Sequence, residues 1–275
     1  HVQLFDTLGW QRPVYCHTAV LEKIDNGQRR KLSKRKDPEL ALAFYQAEGY
    51  LPQAVWEYLL TVLNSNYEEW RIANPGVDCR EFPFTPEKMS NSGTLFDLDK
   101  LNDISKEVIA AMTPAQIYDQ LLEWSLKYAP DFAVLLQRDR AYGERIIDIG
   151  RHGDRPRKDL LTWGQAIRFL SFYYDETYSR EDDYPANVTP EMRKDILSAY
   201  LDTLDMSDDN SAWFAKVKQI AADKGFALKP KDYKKNPHQY PGSIVDVSNV
   251  IRVAVTGRQN SPDLWEISQA IGEER

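Results

Sequence analysis

Helix starts of one kind recur along the sequence, and they constrain the fold more than any other feature. A side-chain oxygen is followed directly by proline at five places: Asp37-Pro38, Thr85-Pro86, Thr113-Pro114, Thr189-Pro190 and Ser261-Pro262. Proline suits the first helical position because the N–H it lacks would have no partner inside the helix, and the preceding oxygen accepts from a later N–H. Nearly everything from residue 37 onward is therefore predicted to be helical.

The apolar spacing along the same region predicts where each helix lies. The predicted helices cover residues 38–47, 51–64, 66–73, 97–112, 114–128, 130–150, 160–174, 190–204, 211–223, 246–256 and 262–271. Aromatic residues between 163 and 174 are predicted to be core rather than platforms for stacked bases, and residues 225–245 are predicted to be loop. The predicted fold class is mainly all-α.

The N-terminal residues carry a different pattern. Residues 1–12 predict a helix that ends near Gly9, and residues 13–28 predict extended chain with a turn at Asn26-Gly27. Residues 29–36 then place six positive charges in eight positions. The whole pattern predicts a strand, a turn, a short basic loop and a helix. A solvated charged loop without a function is the plain alternative.

Length and composition bound the class of protein. With 275 residues, 42% of them hydrophobic, the chain is long enough for one to three domains and a sizeable core. The longest nearly apolar run, residues 54–63, is too short to span a bilayer. The N-terminus has neither a signal-peptide pattern nor an initiator Met, so we expect a fragment of a longer protein. Cys16 and Cys79 lack metal-ligand spacing; Cys16 is expected to be buried in a reduced, cytoplasmic protein.

The charge distribution says more than the net charge of −7, which by itself argues against nucleic acid as a partner. Basic residues cluster at 29–36, at Arg151, Arg155, Arg157 and Lys158, and at Lys229, Lys231, Lys234 and Lys235. Separate basic patches on an acidic body fit one long polyanion that touches several places, and they fit ordinary surface patchiness equally well. The helical part shows no paired carboxylates, no Ser–His–Asp order and no glycine-rich phosphate loop, so it is predicted to be a binding surface.

The segment Lys31-Leu32-Ser33-Lys34-Arg35 resembles the Lys-Met-Ser-Lys-Ser/Arg loop of class I aminoacyl-tRNA synthetases. Further segments match glutamyl-tRNA synthetases in the family's order: residues 8–13 (Leu-Gly-Trp-Gln-Arg-Pro), 49–54 (Gly-Tyr-Leu-Pro-Gln-Ala), 95–101 (Leu-Phe-Asp-Leu-Asp-Lys-Leu) and 251–267. These landmarks run through the whole chain. The chain is therefore similar to the C-terminal portion of a bacterial-type glutamyl-tRNA synthetase.

The resemblance implies a chemistry for the basic segment. Such an enzyme joins glutamate to ATP as an adenylate and then passes it to the 3′ end of tRNA. The family implies that Lys34 neutralises charge on the departing pyrophosphate and that Arg35 joins it in binding ATP. Lys31 and Ser33 would help to position the loop. ATP and Mg²⁺ are the implied cofactors of the full-length enzyme, with no metal site in this chain.

Three departures from the family bear on these expectations. The first ATP motif, a His-Ile-Gly-His-type sequence, is absent together with the glutamate-binding residues, so the chain alone is not expected to aminoacylate. Lys36-Asp37-Pro38 replaces a common glycine after the loop, which is expected to stiffen the loop's exit. Val108-Ile109-Ala110 replaces the family's Tyr-Ile-Arg, so the polar contacts of those residues are not carried over.

The resemblance also divides the chain into three regions. Residues 1–36 would end the catalytic nucleotide-binding domain as a small α/β remnant. Residues 37–112 would form a helical region that contacts the tRNA stem, and residues 113–275 would form an all-helical anticodon-binding domain. Two subdomains of the latter are expected, at about 113–188 and 189–275.

Several residues of the last region match anticodon contacts of the family. Arg157 matches the arginine that inspects the third anticodon base, and Arg155 is its alternative because the alignment there can shift by a residue or two. Arg252, Ser261 and Leu264 match other positions that touch the anticodon. Each has a plain structural alternative: an ion pair in helix packing for Arg252, an N-cap for Ser261 and core packing for Leu264.

The implied partners are tRNA(Glu), ATP and L-glutamate, with tRNA(Gln) left open as a second tRNA. We expect a monomer, a cytoplasmic location and no membrane contact. Glutaminyl-tRNA synthetase is disfavoured because its anticodon part is β-rich. The truncated paralogue that glutamylates a modified tRNA base is disfavoured because it lacks a long C-terminal module. Outside the enzyme class, the alternative is a free-standing, non-catalytic tRNA-binding module.

Overall fold

The structure, a computed structural model, describes residues 1–15, 17–89, 92–152 and 156–273. Cys16, predicted to be buried, lies outside the described residues. Helices account for 57% of the structure, which confirms the mainly α class. The chain forms two compact units, His1–Val108 and Ile109–Arg275. None of the helices within the described ranges is long and apolar enough to cross a membrane.

The first unit begins with a short helix and a small sheet. Helix α1 (Val2–Thr7) is followed by strands β1 (Leu21–Asp25) and β2 (Gln28–Lys31), which pair in an antiparallel register. Asn26 and Gly27 join them with positive φ angles of 51° and 77°, as the hairpin turn of this residue pair requires. A third strand, β3 (Thr94–Leu95), lies parallel to β1, so the sheet order is β2-β1-β3.

The basic segment was predicted as a loop, and the structure corrects this for its first part. Arg29, Arg30 and Lys31 belong to strand β2. They are strand residues because the tight turn pairs them at once with β1; Arg30 lies opposite Lys23, and Lys31 opposite Glu22. The loop proper therefore begins only after Lys31.

Helices form the rest of the first unit. They are α2 (Leu42–Glu48), α3 (Pro52–Leu63), α4 (Tyr67–Ala73) and α5 (Leu98–Ala110), with 3₁₀ turns at Pro38–Leu40, Cys79–Glu81 and Pro86–Lys88. Leu60, Tyr67, Cys79 and Phe82 form a buried cluster around these elements. Burial raises the pKa of the Cys79 thiol, so this cysteine packs as a small hydrophobe.

The second unit consists mainly of helices joined by loops, with an isolated parallel β-bridge between Ala227 and Ser243. Its helices are α6 (Pro114–Tyr128), α7 (Pro130–Arg138), α8 (Arg140–Asp148), α9 (Trp163–Leu170), α10 (Pro190–Thr203), α11 (Asn210–Asp223), α12 (Pro230–Lys235), α13 (Ile244–Thr256) and α14 (Leu264–Ile271), with a 3₁₀ turn at Ser171–Tyr173. Helices α10, α11, α13 and α14 share one buried core. Trp163 and Phe172 are buried, as predicted for the aromatic residues of this region.

Two helix predictions in this unit are wrong. The single helix predicted at 130–150 is broken at Asp139, whose extended backbone ends α7 and whose carboxylate accepts from the Tyr142 N–H at 3.0 Å to begin α8. Aspartate can compete with the helical hydrogen bonds in this way. Helix α12 lies inside the predicted 225–245 loop. It was missed because Lys229, which precedes its Pro230, carries no capping oxygen.

The predicted helix starts, a capping oxygen followed by proline, are confirmed at two of their five places. Thr113 forms the predicted capping box with Gln116, and Thr189 accepts from the Met192 N–H at 3.3 Å. Asp37 and Thr85 precede 3₁₀ turns and make no cap hydrogen bond. Ser261-Pro262 starts no helix. Helix α14 begins later because Asp263 is its N-cap, accepting from the Glu266 N–H at 3.0 Å; the N-cap alternative for Ser261 is therefore wrong.

These caps predict a difference between two similar substitutions. Thr113→Ala removes an acceptor that satisfies a helix N–H, so we expect the free energy of unfolding to fall by about 1 kcal/mol. Thr85→Ala also changes a threonine that precedes proline, but its side chain caps nothing, so the expected change is below about 0.5 kcal/mol. Urea unfolding followed by circular dichroism measures both. Equal losses from the two variants would contradict this account.

Candidate functional site

The buried side chain of Asp37 binds several groups in and around the basic segment. It is 1% exposed. Arg30 donates to it twice, from Nη1 at 2.7 Å and Nη2 at 2.9 Å, and the Ser33 N–H donates at 2.7 Å. The Nζ atom of Lys23 lies 3.0 Å from Oδ1 of Asp37, the carboxylate oxygen that the Ser33 N–H does not contact. Two strands and the loop therefore meet at one carboxylate.

These contacts fix the charge state of Asp37. The hydrogen bonds from Arg30 and the Ser33 N–H, together with Lys23, hold the pKa of the carboxyl well below its usual range. A lowered carboxyl pKa means that the contribution to stability is present above the ordinary value and is lost as pH falls through the lowered one. The cluster is therefore intact across the neutral range.

The loop itself is a compact turn. The Ser33 carbonyl accepts from the Lys36 N–H at 3.0 Å and from the Asp37 N–H at 2.8 Å. The Ser33 hydroxyl accepts from the Arg35 N–H at 3.4 Å. Leu32 is 3% exposed and anchors the segment in the first unit. Ser33, predicted to help position the loop, thus makes contacts that hold its shape.

The two predicted ATP-binding residues, Lys34 and Arg35, are left exposed by this arrangement, as are two neighbouring lysines. Lys31, Lys34, Arg35 and Lys36 are all exposed, and no carboxylate within the described residues pairs with them. Arg29 lies 4.0 Å from Glu22, and Arg30 is bound by Asp25 and Asp37. The exposed group can therefore attract an anion without first breaking an ion pair.

Arg157 is the predicted base reader in the second unit, and its guanidinium is held on two sides. Its Nε donates to Asp159 at 2.8 Å, and its Cζ atom lies over the Phe169 ring, 4.5 Å from the ring centroid. The side chain is only 14% exposed. Its Nη1 and Nη2 atoms are buried and have no acceptor among the described residues. Arg155, the alternative reader, lies outside the described residues.

The backbone around Arg157 connects to helix α14. The Arg157 N–H donates to the Gly150 carbonyl at 3.0 Å, and the Gly150 N–H donates to Glu266 on α14 at 2.9 Å. Glu266 follows the Ser261–Pro262 segment closely in the chain. The structure therefore brings Arg157 and the predicted contacts near residue 261 to the same part of the second unit.

Arg151 belonged to the same basic cluster in the sequence, and the structure corrects its place. It is 9% exposed rather than part of a surface patch. Its Nη2 donates to the carbonyl of Ile109 at 2.7 Å and to those of Ala110 and Met112 at longer range. Burial lowers the pKa of its guanidinium. Carbonyls at a helix end lack partners within the helix, and a buried arginine satisfies several of them at once.

Arg252 and Ser261 are brought into direct contact. Arg252 Nη1 donates to the Pro262 carbonyl at 2.7 Å, to the Ser261 carbonyl at 3.1 Å and to the Ser261 hydroxyl. No carboxylate in the described part of the chain pairs with Arg252, so the ion-pair alternative is wrong. Burial lowers the pKa of the Arg252 guanidinium. Leu264 is 2% exposed in the core, so the core-packing alternative describes its side chain.

Four contributors to these sites were not identified from the sequence: Asp37 as an anchor, Asp159, Phe169 and Glu266. Their spacing carries no motif, because each acts on a residue that only the fold brings near. The described residues hold no group of three or more His, Cys, Asp or Glu side chains that could bind a metal ion.

The comparisons with known proteins that found a match all point to the same kind of protein. No protein-family model matches the sequence. A glutamate–tRNA ligase of Acetivibrio thermocellus is 54% identical over 275 residues, covering all of this chain and 50% of the relative. A glutamate–tRNA ligase of Clostridium perfringens (strain 13 / Type A) is 40% identical over 278 residues, again covering the whole chain and 51% of the relative. The chain spans about half the length of the curated relatives it matches.

A solved structure supports the same fold. The glutamate–tRNA ligase of Elizabethkingia meningosepticum superposes with a TM-score of 0.63 at 17% identity, covering 99% of this chain and 51% of that one. At that identity the likeness concerns the fold, while the sequence relatives carry the family assignment. The matched part is the C-terminal half of each relative. The chain therefore belongs to the glutamate–tRNA ligase family, in which it corresponds to the C-terminal half of the members.

Proposed function

We propose that this chain is the tRNA-recognising half of a cytoplasmic enzyme that activates glutamate with ATP and transfers it to tRNA(Glu). The observation that carries the proposal is 54% identity to a glutamate–tRNA ligase along the full length of the chain. In this proposal the basic loop serves the ATP site and the helices downstream bind tRNA. A free-standing tRNA-binding module would have no use for the loop.

Lys34 is the residue we assign to the activation step. When the glutamate carboxylate attacks the α-phosphate of ATP, the bond to pyrophosphate breaks and negative charge grows on the leaving group. An ammonium positioned there stabilises the transition state more than the ground state, which is what raises the rate. Lys34 and Arg35 lie on an exposed turn without a competing carboxylate among the described residues. Mg²⁺, which the family implies, is assigned no residue of this chain.

Arg157 is the residue we assign to the third anticodon base. The Nε atom of Arg157 donates to Asp159, and the Phe169 ring packs against the guanidinium. The Nη1 and Nη2 atoms therefore remain as the pair of donors for a base edge. Both nitrogens are buried and have no acceptor among the described residues, so an acceptor brought to them would satisfy donors that are otherwise unpaired.

The Arg252 side chain has a different part in the same region. Its Nη1 atom donates to the carbonyls of Ser261 and Pro262 and so fixes the segment that precedes α14. We assign to this segment the contacts of Ser261 with the anticodon, and to the Leu264 side chain the anchoring of the segment in the core. Residues 37–112 are assigned to the tRNA stem, and the boundaries of the three regions stay predictions.

Titration of the chain with tRNA(Glu) at several salt concentrations tests this proposal. Because phosphate contacts release counterions, log Kd is expected to change with log salt with a slope of about 3 or more, at roughly 0.7–0.9 for each contact. The same chain incubated with ATP, glutamate and tRNA is expected to form no glutamyl-tRNA unaided. A flat salt dependence, or charging by the chain alone, would contradict the proposed division of labour.

A further inference from the structure

We propose that Asp37 is the positioning residue of the basic loop: by binding both strands of the hairpin and the Ser33 N–H, it holds the loop in the geometry that Lys34 needs. The inference rests on the proposed role of Lys34 at the leaving pyrophosphate. Asp37 itself would touch no substrate, because it is buried under the loop. It acts through the backbone that carries Lys34.

The contacts fix the loop at its entry and at its exit. The carboxylate of Asp37 accepts from the N–H of Ser33, the second residue of the loop, and Asp37 is itself the residue at which the loop ends. Its own N–H closes the turn by donating to the Ser33 carbonyl at 2.8 Å. A turn clamped at both ends by one residue has little freedom to place its tip elsewhere.

The hairpin supplies the fixed base. Lys23 on β1 and Arg30 on β2 lie opposite each other in the register, so both side chains lie on the same face of the sheet, and both reach Asp37. Arg30 does so with two parallel N–H bonds, an arrangement that sets direction as well as distance. The position of the loop is thereby tied to the position of the sheet.

The same cluster divides the positive charges into two groups. Asp37, together with Asp25 and Glu39, accepts from Arg30 and Lys23. Lys34 and its exposed neighbours have no such acceptor within the described ranges. The buried carboxylate thus binds the cations that serve structure and leaves the others to a phosphate.

The first test concerns the loop itself in the 275-residue chain. Asp37→Asn keeps the shape and removes the charge that Arg30, Lys23 and the Ser33 N–H bind. We expect hydrogen exchange across residues 32–37 and trypsin cleavage after Lys34 to quicken by about ten-fold. Asp25→Asn is the matched control, because it removes the other acceptor of Arg30 and touches no loop atom. Equal protection from exchange and cleavage in the unaltered chain, Asp37→Asn and Asp25→Asn would overturn the inference.

The second test concerns rate in the full-length ligase that carries this sequence. With Asp37→Asn, kcat for aminoacylation is expected to fall about ten-fold, since misplacing a reacting group by about 1 Å can cost up to ~10²-fold. The KM for tRNA is expected to stay within about two-fold. Because a loss of folded enzyme would also lower the apparent kcat without changing KM, kcat is calculated per folded, active enzyme. An unchanged kcat alongside a loosened loop would overturn the positioning role.

A further variant guards against misfolding, and one control separates this inference from the proposed function. If Asp37→Asn does not fold, Arg30→Lys keeps the charge but replaces two parallel bonds by one ammonium; a partial loss of kcat is expected, and full kcat would count against the inference. If the unaltered full-length protein fails to charge tRNA with glutamate, the proposed function fails. The exchange measurements on the chain would still show whether Asp37 holds the loop.

Discussion

Replacing Lys34 by alanine in the full-length ligase is expected to lower kcat by about 10²–10³-fold. The magnitude is that of removing one preorganised group that stabilises charge developing in a transition state. Lys34 is exposed on the turn, and no carboxylate among the described residues competes for it, so in the proposed mechanism its charge can act on the departing pyrophosphate. Binding of tRNA should change little, because the loop is a small part of the proposed contact. Steady-state aminoacylation with varied ATP measures the effect.

Lys36→Ala is the matched control for this prediction. It removes the same charge two positions along the turn, from another exposed lysine without a carboxylate partner in the described part of the chain. If general positive charge attracts ATP, both variants lose rate alike. If the position of one ammonium matters, Lys36→Ala costs less than about five-fold, whereas Lys34→Ala costs orders of magnitude. Similar losses would remove Lys34 from its assigned role.

Replacing Arg157 by alanine is expected to weaken binding of tRNA(Glu) about ten-fold or more. A guanidinium that donates twice to a base edge is worth about 1–3 kcal/mol, and its loss relaxes specificity at that base alone. The truncation also removes the contacts to Asp159 and Phe169, which are local. Fluorescence titration of the chain with tRNA(Glu), and with the same tRNA changed at the third anticodon base, gives the comparison.

The control for Arg157 is Arg140→Ala. Arg140 is also an arginine of the second unit, and it is exposed and engaged in ion pairs with Asp119 and Glu144. Exposed pairs of this kind contribute little, so neither stability nor tRNA affinity should change by more than about 1 kcal/mol. Should Arg157→Ala weaken all tRNAs equally, its part would be phosphate attraction rather than base reading.

Local chemistry explains which structural features the sequence could predict. The Asn26-Gly27 turn and the capped start at Thr113 depend on neighbouring residues, and both are present in the structure. The break at Asp139 was missed because an apolar pattern continues across it, and α12 was missed because its start has proline without a capping oxygen. At Asp139 a side-chain cap interrupts a continuing apolar pattern, and the pattern alone does not show that the cap prevails.

The sites show the same division between local and tertiary information. The loop was found because its residues are consecutive and resemble a known segment. Asp37 looked only like a stiff exit, because its partners Lys23 and Arg30 come near through the strand register. Arg151 and Arg157 looked alike as members of one basic cluster. Both are largely buried, and their hydrogen-bond partners separate them: Arg151 satisfies carbonyls at the end of α5, whereas Arg157 keeps two donor atoms without acceptors among the described residues.

One measurement tests the central claim most directly: the affinity of the isolated chain for tRNA(Glu) against the same tRNA body with all three anticodon bases replaced. We predict at least about ten-fold tighter binding of tRNA(Glu), since each unmatched base typically costs 1–3 kcal/mol. A third tRNA with a glutamine anticodon decides whether tRNA(Gln) is a second partner. Equal affinity for tRNA(Glu) and the replaced anticodon would contradict the account, because the chain would then bind tRNA without reading it.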